Sequence, residues 1–273
     1  MSEFDFKPDE IGRWSEDKLE ILEKYFAAYS KILSKYHFKY SYIDAFSGAG
    51  VHVSKETGEI ISGSPLRALK IRPPFHEYHF IDIDNLKLTH LQNAACDNPG
   101  VFCHEGNCNE ILLKEVLPNI RYDRYERAIC LFDPYGLHLN WEVIEYAGNS
   151  KAMEIFLNFP IADMNRNVLW ENHEGVSEDQ KLRMNKFWGN DSWKNAAYEV
   201  TPGLFDDIIE KTNNKAVADA FKKRLKAVAG FKYVAEPVPM KNSRNAIVYY
   251  LFFASQNEKG CKIANDIFNT YRK

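Results

Sequence analysis

Hydrophobic, β-prone segments alternate with helical patterns along the first 160 residues, and this alternation constrains the fold more than any other feature. The segments span residues 40–46, 78–83, 101–104, 128–132 and 153–159, and they are rich in aromatic and β-branched side chains. Between them, apolar residues recur at helical spacing. Alternation of this kind predicts an α/β fold, in which helices cover both faces of a parallel sheet.

The C-terminal part of the chain returns to strand-like segments. Residues 231–238 and 247–254 are joined by a short polar link, so we expect an antiparallel pair, followed by a helix over 257–271. With this pair, the prediction is a mostly parallel seven-stranded sheet that ends in an antiparallel hairpin. The sheet domain is then formed by residues 40–160 and 231–273.

Two other segments lie outside this predicted sheet. Residues 1–39 form an N-terminal leader with helical spacing, and Ser15 and Ser64 are predicted N-caps of the helices that follow them. Residues 161–230 are too many for an ordinary crossover, so we predict a helical insertion or lid at the carboxyl edge of the sheet. Its large aromatic residues form either a local core or a surface that stacks on a base: Trp170, Phe187, Trp188 and Trp193.

Composition and charge narrow the class of protein. The formal net charge is −3, which gives no general attraction to nucleic acid. A basic run is either a solvated helix face or a phosphate-binding patch: Lys222, Lys223, Arg224 and Lys226. The five cysteines form no CxxC pair, which favours a reducing, cytoplasmic location. No apolar run approaches the roughly 20 residues of a membrane helix, so we expect no membrane insertion.

Glycines, acids and amides follow the predicted strands, where an open α/β sheet binds its ligands. They are Asp44, Phe46, Gly48 and Gly50 after the first strand, Asp82 after the second, Asn107 after the third, and Asp133, Pro134 and Tyr135 after the fourth. Glycines let the backbone approach a ligand closely, and an acid after the second strand can accept the hydroxyls of a ribose. Together, the strand ends predict a nucleotide-binding site.

The surroundings of the glycine loop favour one nucleotide over others. A dinucleotide fingerprint needs a third glycine and an immediate helix, whereas a predicted hairpin over residues 51–63 follows Gly50. Asp44 would repel a pyrophosphate but suits the amino group of a methionine moiety. The sequence also lacks a GxxxxGK[ST] phosphate loop. S-adenosylmethionine is therefore favoured over NAD as the cofactor.

At these residues the sequence resembles the class I S-adenosylmethionine-dependent methyltransferases. Longer blocks resemble the three-Cys-motif partner protein family (TcmP): IGRWSEDKLEILEKYFAAY, YIDAFSGAGV followed by GSPLRAL, LFDPYGL, FLNFP and IVYYLFFAS. The resemblance implies the Rossmann-like methyltransferase fold, the S-adenosylmethionine cofactor and a separate cysteine-motif protein as partner. It also implies that Asp44, Phe46, Gly48 and Gly50 hold the methionine end, that Asp82 binds ribose, and that Asn107 lies near adenine.

The resemblance further assigns Asp133, Pro134 and Tyr135 as catalytic residues. They look like a relative of the [DN]PP[YF] motif of amino methyltransferases, although this chain has one proline and a glycine after Tyr135. In that motif the acid and the proline carbonyl accept hydrogen bonds from a target amino group, and the ring stacks on the base. The implied function is methyl transfer to an amino nitrogen, with adenine of DNA or RNA as candidate acceptor. The alternative is a non-catalytic adapter that binds S-adenosylmethionine.

Several of these residues have a purely structural alternative. Asn107 and Asp84 fit helix caps, and the segment from Asp133 to Gly136 fits a type I turn. Lys18 and Trp14 of the leader either fold over the cofactor or serve as a surface lysine and a packed tryptophan.

Two other chemistries have weak sequence support. Cys103, His104 and Cys108 lack a fourth zinc ligand, so no metal is predicted. Ser47, His52 and Asp44 are the residue types of a hydrolase triad, but the Gly-x-Ser-x-Gly elbow is absent.

Overall fold

The computed structural model describes residues 6–95, 98–172, 175–203 and 208–272. Its strands are β1 (Asp9–Ile11), β2 (Lys39–Asp44), β3 (Val51–Ser54), β4 (Ile60–Ser62), β5 (Glu77–Asp82), β6 (Val101–Glu105), β7 (Glu126–Phe132), β8 (Met153–Phe159), β9 (Tyr198–Thr201), β10 (Ile208–Lys211), β11 (Tyr233–Val234), β12 (Val238–Lys241) and β13 (Ile247–Ser255). Its α-helices are α1 (Arg13–Leu33), α2 (Ser64–Lys70), α3 (Asn85–Ala94), α4 (Cys108–Ile111), α5 (Trp141–Asn149), α6 (Ile161–Asn167), α7 (Glu178–Trp188), α8 (Trp193–Ala197), α9 (Asn214–Ala227) and α10 (Glu258–Asn269).

Among the described residues, eight strands form the main sheet, in the order β11-β13-β8-β7-β2-β5-β6, and β12 also pairs with β13. The five strands β2, β5, β6, β7 and β8 are parallel, and β13 runs antiparallel to β8. The strand order reverses on either side of β2, so β2 and β7 flank the point where a ligand site is expected. The predicted mostly parallel sheet is confirmed.

The last part of the sheet differs from the prediction in one respect. Residues 231–238 form two short strands rather than one, and both pair antiparallel with β13. Pro237 lies between them, and a proline has no N–H with which to continue a ladder. Met240 and Lys241, expected in the link, belong to β12. The sheet therefore has eight strands instead of seven.

Helices cover both faces of the sheet, as the alternating pattern predicts. One hydrophobic core joins the sheet to α1, α2, α3 and α10. The other core joins it to helices from α4 to α9. In this second core Phe159 and Phe252 of the sheet pack against Phe221 of α9, with ring centroids 4.6 and 5.6 Å apart.

The segment 161–230 thus contributes directly to the covering of the sheet. Phe187, Trp188 and Trp193 are buried, whereas Trp170 is 38% exposed and donates from its indole to the carbonyl of Arg166. The segment also contains β9 and β10, an antiparallel pair that the helical prediction missed. The large apolar side chains of segment 161–230 belong mainly to the core, and the placement as a lid remains a prediction.

Two predicted helix caps are wrong. The N-cap of α1 is Gly12, whose carbonyl accepts from Ser15 N at 2.9 Å, so Ser15 lies inside the first turn. The N-cap of α2 is Gly63, and Ser64 is the first helical residue. The hydroxyl of Ser64 donates instead to Asp44, at 2.7 Å. A local capping rule could not anticipate this partner, since it lies 20 residues away along the chain.

One other predicted local feature is present. Strands β3 and β4 form the predicted hairpin, and β1 adds to it in parallel. Asn140 occupies the N-cap position of α5, although its side chain makes no capping hydrogen bond. Over the described ranges, we find no helix with the length and apolarity required to traverse a bilayer.

Candidate functional site

A cleft of about 310 Å³ lies at the carboxyl ends of β2, β5, β6 and β7. Its lining includes the predicted Phe46, Asp82, Asn107 and Tyr135, which come from the ends of four different strands. The lining also includes Ile83, Gly106, Cys108 and His138, which the sequence reasoning did not select. Four of the predicted site residues therefore line one cleft, whereas Asp44, Gly48, Gly50, Asp133 and Pro134 are not part of its lining. That this cleft is the functional site stays a prediction.

Asp82 ties the glycine loop to the second parallel strand of the chain. Its Oδ2 accepts from Gly48 N at 2.8 Å, and its Oδ1 accepts from Asp84 N at 2.9 Å. Each carboxylate oxygen has two acceptor positions, so both oxygens retain capacity for a ligand hydroxyl. The carboxylate is thus oriented by backbone and still faces the cleft.

The two glycines of the loop have different roles. Both have positive φ, 58° at Gly48 and 75° at Gly50. A Cβ at Gly48 would have no heavy atom within 4 Å, whereas a Cβ at Gly50 would lie 2.9 Å from Leu91 Cδ1. Gly48 therefore borders open space, where a ligand can approach the backbone, and Gly50 permits close packing against α3.

Asp44 lies beneath the loop and is fully buried. Its Oδ2 accepts from Tyr42 Oη at 2.8 Å and from Ser64 Oγ at 2.7 Å, and its Oδ1 accepts from Phe46 N at 3.3 Å. Burial raises the pKa of Asp44 to about 6, although the hydrogen bonds from Ser64 and Tyr42 lower it. Asp44 is a support of the cleft floor and not part of its lining.

Asn107 and Asp84 both cap helices, which the sequence left open. Asn107 accepts from Asn109 N at 2.9 Å at the start of α4, and Asp84 accepts from Leu86 N at 3.0 Å at the start of α3. Asn107 also lines the cleft, so its cap and its exposure to a ligand coexist.

Asp133 is held by two side chains from distant parts of the chain. Lys18 of α1, which is 8% exposed, forms an ion pair with Oδ2 of Asp133. Asn158 of β8 donates to Oδ1 at 2.6 Å. Pro134 is buried, and Tyr135 is 63% exposed with its hydroxyl 3.2 Å from Asp9 Oδ2. The leader therefore contacts Asp133 through Lys18, and a role of Lys18 over the cofactor stays a prediction.

Two buried polar atoms near this ion pair have no hydrogen-bond partner within the described part of the chain. They are Oδ1 of Asn158 and Nδ1 of His52. Burial, and then the positive charge of Lys18, lowers the pKa of His52 to about 4. Unpartnered buried polar atoms are unusual, and they leave acceptor and donor capacity for a ligand or a buried water.

Asn158 is a partner of Asp133 that the sequence reasoning missed. It stands in the FLNFP block, in the middle of an apolar run. A lone amide in a strand that is otherwise buried needs a partner, and this was the available signal. The partner itself, Asp133, lies 25 residues earlier in the chain.

The zinc and hydrolase alternatives find no supporting geometry. No cluster of three or more potential metal ligands occurs in the described ranges, and His104 Nε2 lies 3.1 Å from His79 Nδ1. Burial raises the pKa of Cys108 to about 12. Ser47 Oγ is bonded to the carbonyl of Ile81 at 3.3 Å rather than to a histidine.

Comparison with known proteins identifies a fold and no activity. No protein-family model matches the chain, and no curated protein does. The crystal structure of protein LPL1258 from Legionella pneumophila, described by the family model DUF519, matches with TM-score 0.53 and 10% identity over 93% of this chain and 92% of that one. With the strand order and the cleft above, this decides the architecture. The chain has a Rossmann-like α/β fold.

Other solved structures with this fold are more distant. A putative S-adenosylmethionine-dependent methyltransferase from Listeria monocytogenes matches with TM-score 0.43 and 11% identity, over 84% of this chain and 97% of that one. One from Clostridium acetobutylicum matches with TM-score 0.41 and 11% identity, over 87% and 91%. Similarity this low does not establish an activity, and membership of the three-Cys-motif partner family stays a prediction.

Proposed function

We propose that the chain binds S-adenosylmethionine in the cleft and transfers its methyl group to an amino nitrogen, with adenine of DNA or RNA as the acceptor. The observation that carries this proposal is the Asp82 carboxylate, fixed by Gly48 N–H at the edge of a 310 Å³ cleft. That volume lies within the range of small-ligand pockets, about 300–1,000 Å³.

The adenosine end of the cofactor fits residues around Asp82. The carboxylate has free acceptor positions for the two ribose hydroxyls. Ile83 is 80% exposed beside it, so a base laid against this side chain would remove apolar surface from water. Asn107 is positioned to meet the polar edge of the base.

The methionine end fits less directly. Gly48 leaves space for it, and Phe46 lines the cleft beside that space. Asp44 supports this region from below but is fully buried, so it acts on a ligand charge through the loop rather than by contact. When bound, S-adenosylmethionine supplies a methyl group on a cationic sulfonium, and acidic strand ends suit that charge.

The acceptor step rests on Asp133, Pro134 and Tyr135. The exposed ring of Tyr135 is available for stacking on a flat acceptor. Asp133 accepts one hydrogen bond on each oxygen, from Asn158 and Lys18, and each oxygen has one further position for an acceptor amine. The contribution of these residues is then positioning of the amine, without a strong base.

The first test is calorimetry with S-adenosylmethionine and with its demethylated product. We expect binding to the wild type and a loss of about 100-fold in Asp82→Ala, because two hydrogen bonds to a charged group are removed. Asp123→Ala makes the same charge change at an exposed site at the other end of the sheet and should leave the affinity unchanged. Wild-type protein that is folded but does not bind either compound would overturn the proposal.

The second test identifies the acceptor. Labelled cofactor is incubated with the protein and with DNA, RNA and protein fractions, and we expect label in nucleic acid. The same reaction with Asp133→Asn should lose most of the incorporation. Normal cofactor binding with no label in nucleic acid would contradict an adenine acceptor.

One observation favours a second candidate, a non-catalytic adapter that binds S-adenosylmethionine and serves a separate cysteine-motif protein. Both oxygens of Asp133 are already engaged, and Lys18 neutralises its charge. An adapter would bind the cofactor with the Asp82 dependence above and would transfer no methyl group to any fraction. Transfer that depends on Asp133 excludes it.

A further inference from the structure

A second pocket lies at the opposite edge of the sheet, at the amino ends of β7 and β8 and the start of α10. Its volume is about 350 Å³. We call it the amino-end pocket, and the residues that matter for its chemistry are Tyr29, Phe38, Tyr122, Arg127, Lys151 and Lys232. It shares no lining residue with the cleft.

Arg127 forms the rigid wall of the amino-end pocket. Its guanidinium carbon lies 4.7 Å from the ring centroid of Phe38 and 4.1 Å from that of Tyr122. Its Nη1 donates to the carbonyls of Glu126 at 2.7 Å and Tyr122 at 3.3 Å. Two stacked rings and two carbonyls fix the plane of the group, which leaves its Nε and Nη2 donors preoriented.

The three cations of this pocket are not paired with its carboxylates. Within the ranges that the structure describes, no carboxylate forms an ion pair with Arg127, Lys151 or Lys232. The first turn of α10, a helix of 12 residues, adds the positive end of its dipole.

Two carboxylates also line the amino-end pocket, and neither cancels this charge. Glu154 is turned inward, where Tyr25 Oη donates to it at 2.6 Å and Ser255 Oγ at 2.8 Å. Glu258 stands in the first turn of α10. Three cations therefore face two carboxylates, one of which is already covered by hydroxyl donors.

An independent observation points to a ligand. Tyr29 is 7% exposed, and its hydroxyl is a buried polar atom without a hydrogen-bond partner among the described residues. Tyr29 lines the pocket, and its hydroxyl lies within electrostatic reach of Arg127 and Glu154. A buried hydroxyl normally has a partner, and the hydroxyl of this lining residue has none among the described residues, which leaves it able to donate.

We propose that the amino-end pocket binds a phosphate group, carried either by free phosphate or by a mononucleotide. A flat guanidinium, two lysines and a hydroxyl donor match the several acceptor oxygens and the double negative charge of phosphate. The volume admits a ligand larger than the ion alone. The site is independent of methyl transfer, since it lies at the other edge of the sheet.

The test is calorimetry of the full chain at low ionic strength with inorganic phosphate, adenosine 5′-monophosphate and adenosine. Asp82→Ala serves as the background, so that binding in the cleft does not contribute. We expect phosphate and the nucleotide to bind and adenosine not to bind. Tighter binding of the nucleotide than of phosphate assigns the mononucleotide, and equal binding assigns the free ion.

Variants locate the site. Arg127→Gln and Lys151→Gly should each weaken phosphate binding by about tenfold or more, because each removes a charged donor. Arg124→Gln removes an exposed arginine that does not line the pocket and should have no effect. Lys151 has φ 59°, which suits glycine, so Lys151→Gly keeps the test valid if Arg127→Gln does not fold. Absence of phosphate binding, or equal affinity in all variants, overturns the proposal.

Discussion

The two edges of the parallel sheet present side chains of opposite charge, and these side chains differ in how they are paired. At the carboxyl edge, Asp44, Asp82 and Asp133 each accept hydrogen bonds on both oxygens. At the amino edge, Arg127 and Lys151 have no carboxylate partner among the described residues. The carboxylates of the first edge are held by donors from the chain itself, whereas these cations of the second edge are not held by an ion pair within the described residues.

This contrast shows how surrounding donors limit the cost of burying a carboxylate. A buried carboxylate is costly unless donors surround it, and the cleft supplies those donors from backbone, hydroxyl, amide and ammonium groups. An exposed cation without an ion-pair partner costs little stability, because water solvates it. Substitutions at the carboxyl edge should therefore change stability more than those at the amino edge.

The largest expected effect comes from breaking the buried ion pair of the carboxyl edge. Lys18→Met leaves Asp133 with only Asn158 as donor, and we expect the free energy of unfolding to fall by about 3–5 kcal/mol. Lys24→Met is the matched control on the same helix, because Lys24 only contacts Tyr271 at the surface. Urea denaturation measures both variants, and similar losses in the two would refute the contrast.

The next effect depends on pH. The folded-state pKa of Asp44, about 6, is above its ordinary value of 3.8, so the native state holds this proton more tightly than the unfolded state. As pH rises from about 4 to 7, the wild type should lose about 2 kcal/mol of stability relative to Asp44→Asn. Above about pH 7 the difference should stay constant.

Urea denaturation of both proteins between pH 4 and 8 measures this difference, and His52 and His79 cancel because both proteins contain them. A difference that grows in favour of the wild type as pH rises would show that Asp44 is stabilised as a carboxylate.

Alanine substitution at two glycines distinguishes the cost of backbone strain from the loss of ligand contact. Gly48 and Gly58 have φ of 58° and 73°, and a Cβ at either would have no heavy atom within 4 Å. Alanine at each should cost about 1–2 kcal/mol through backbone strain alone. Only Gly48→Ala should also weaken binding of S-adenosylmethionine, which calorimetry measures. Equal affinity in the two variants would place the cofactor away from the loop.

The smallest expected effect lies at the amino edge. Lys151 and Asn245 have nearly equal φ, 59° and 60°, but asparagine tolerates this conformation better than lysine. Lys151→Gly should raise the free energy of unfolding by about 0.5–1 kcal/mol, and Asn245→Gly should change it less. Thermal unfolding compares them, and destabilisation by Lys151→Gly would show that the lysine contributes contacts that strain does not outweigh.

The sequence predicts the features that depend on neighbours along the chain. The alternation of segments locates β2, β5, β6, β7 and β8, because each of these strands coincides with a local apolar run in the sequence. The position of the candidate site can also be predicted from the sequence, because the carboxyl ends of parallel strands must meet at one edge of the sheet. Asp82 and Tyr135 could be selected on this ground.

The remainder depends on contacts between distant residues. Asp133 meets Lys18 across 115 positions, and Asp44 meets Ser64 across 20. No local rule relates such residues, so the cap assigned to Ser64 was wrong and the role of Lys18 stayed open. The sequence does not predict the amino-end pocket for the same reason. Its residues Tyr29, Arg127 and Lys232 come from three separate regions of the chain.

The leader helix has a consequence for synthesis on the ribosome. Helix α1 is synthesised before β13, yet the two are in contact. The carbonyl of Trp14 accepts from the hydroxyl of Tyr249, and Tyr25 packs on Phe253 with ring centroids 4.7 Å apart. More than two hundred further residues must therefore be synthesised before the apolar face of α1 can make all of its native contacts. Until β13 has left the exit tunnel, the nascent chain displays this face to solvent, which makes it a natural client for chaperones.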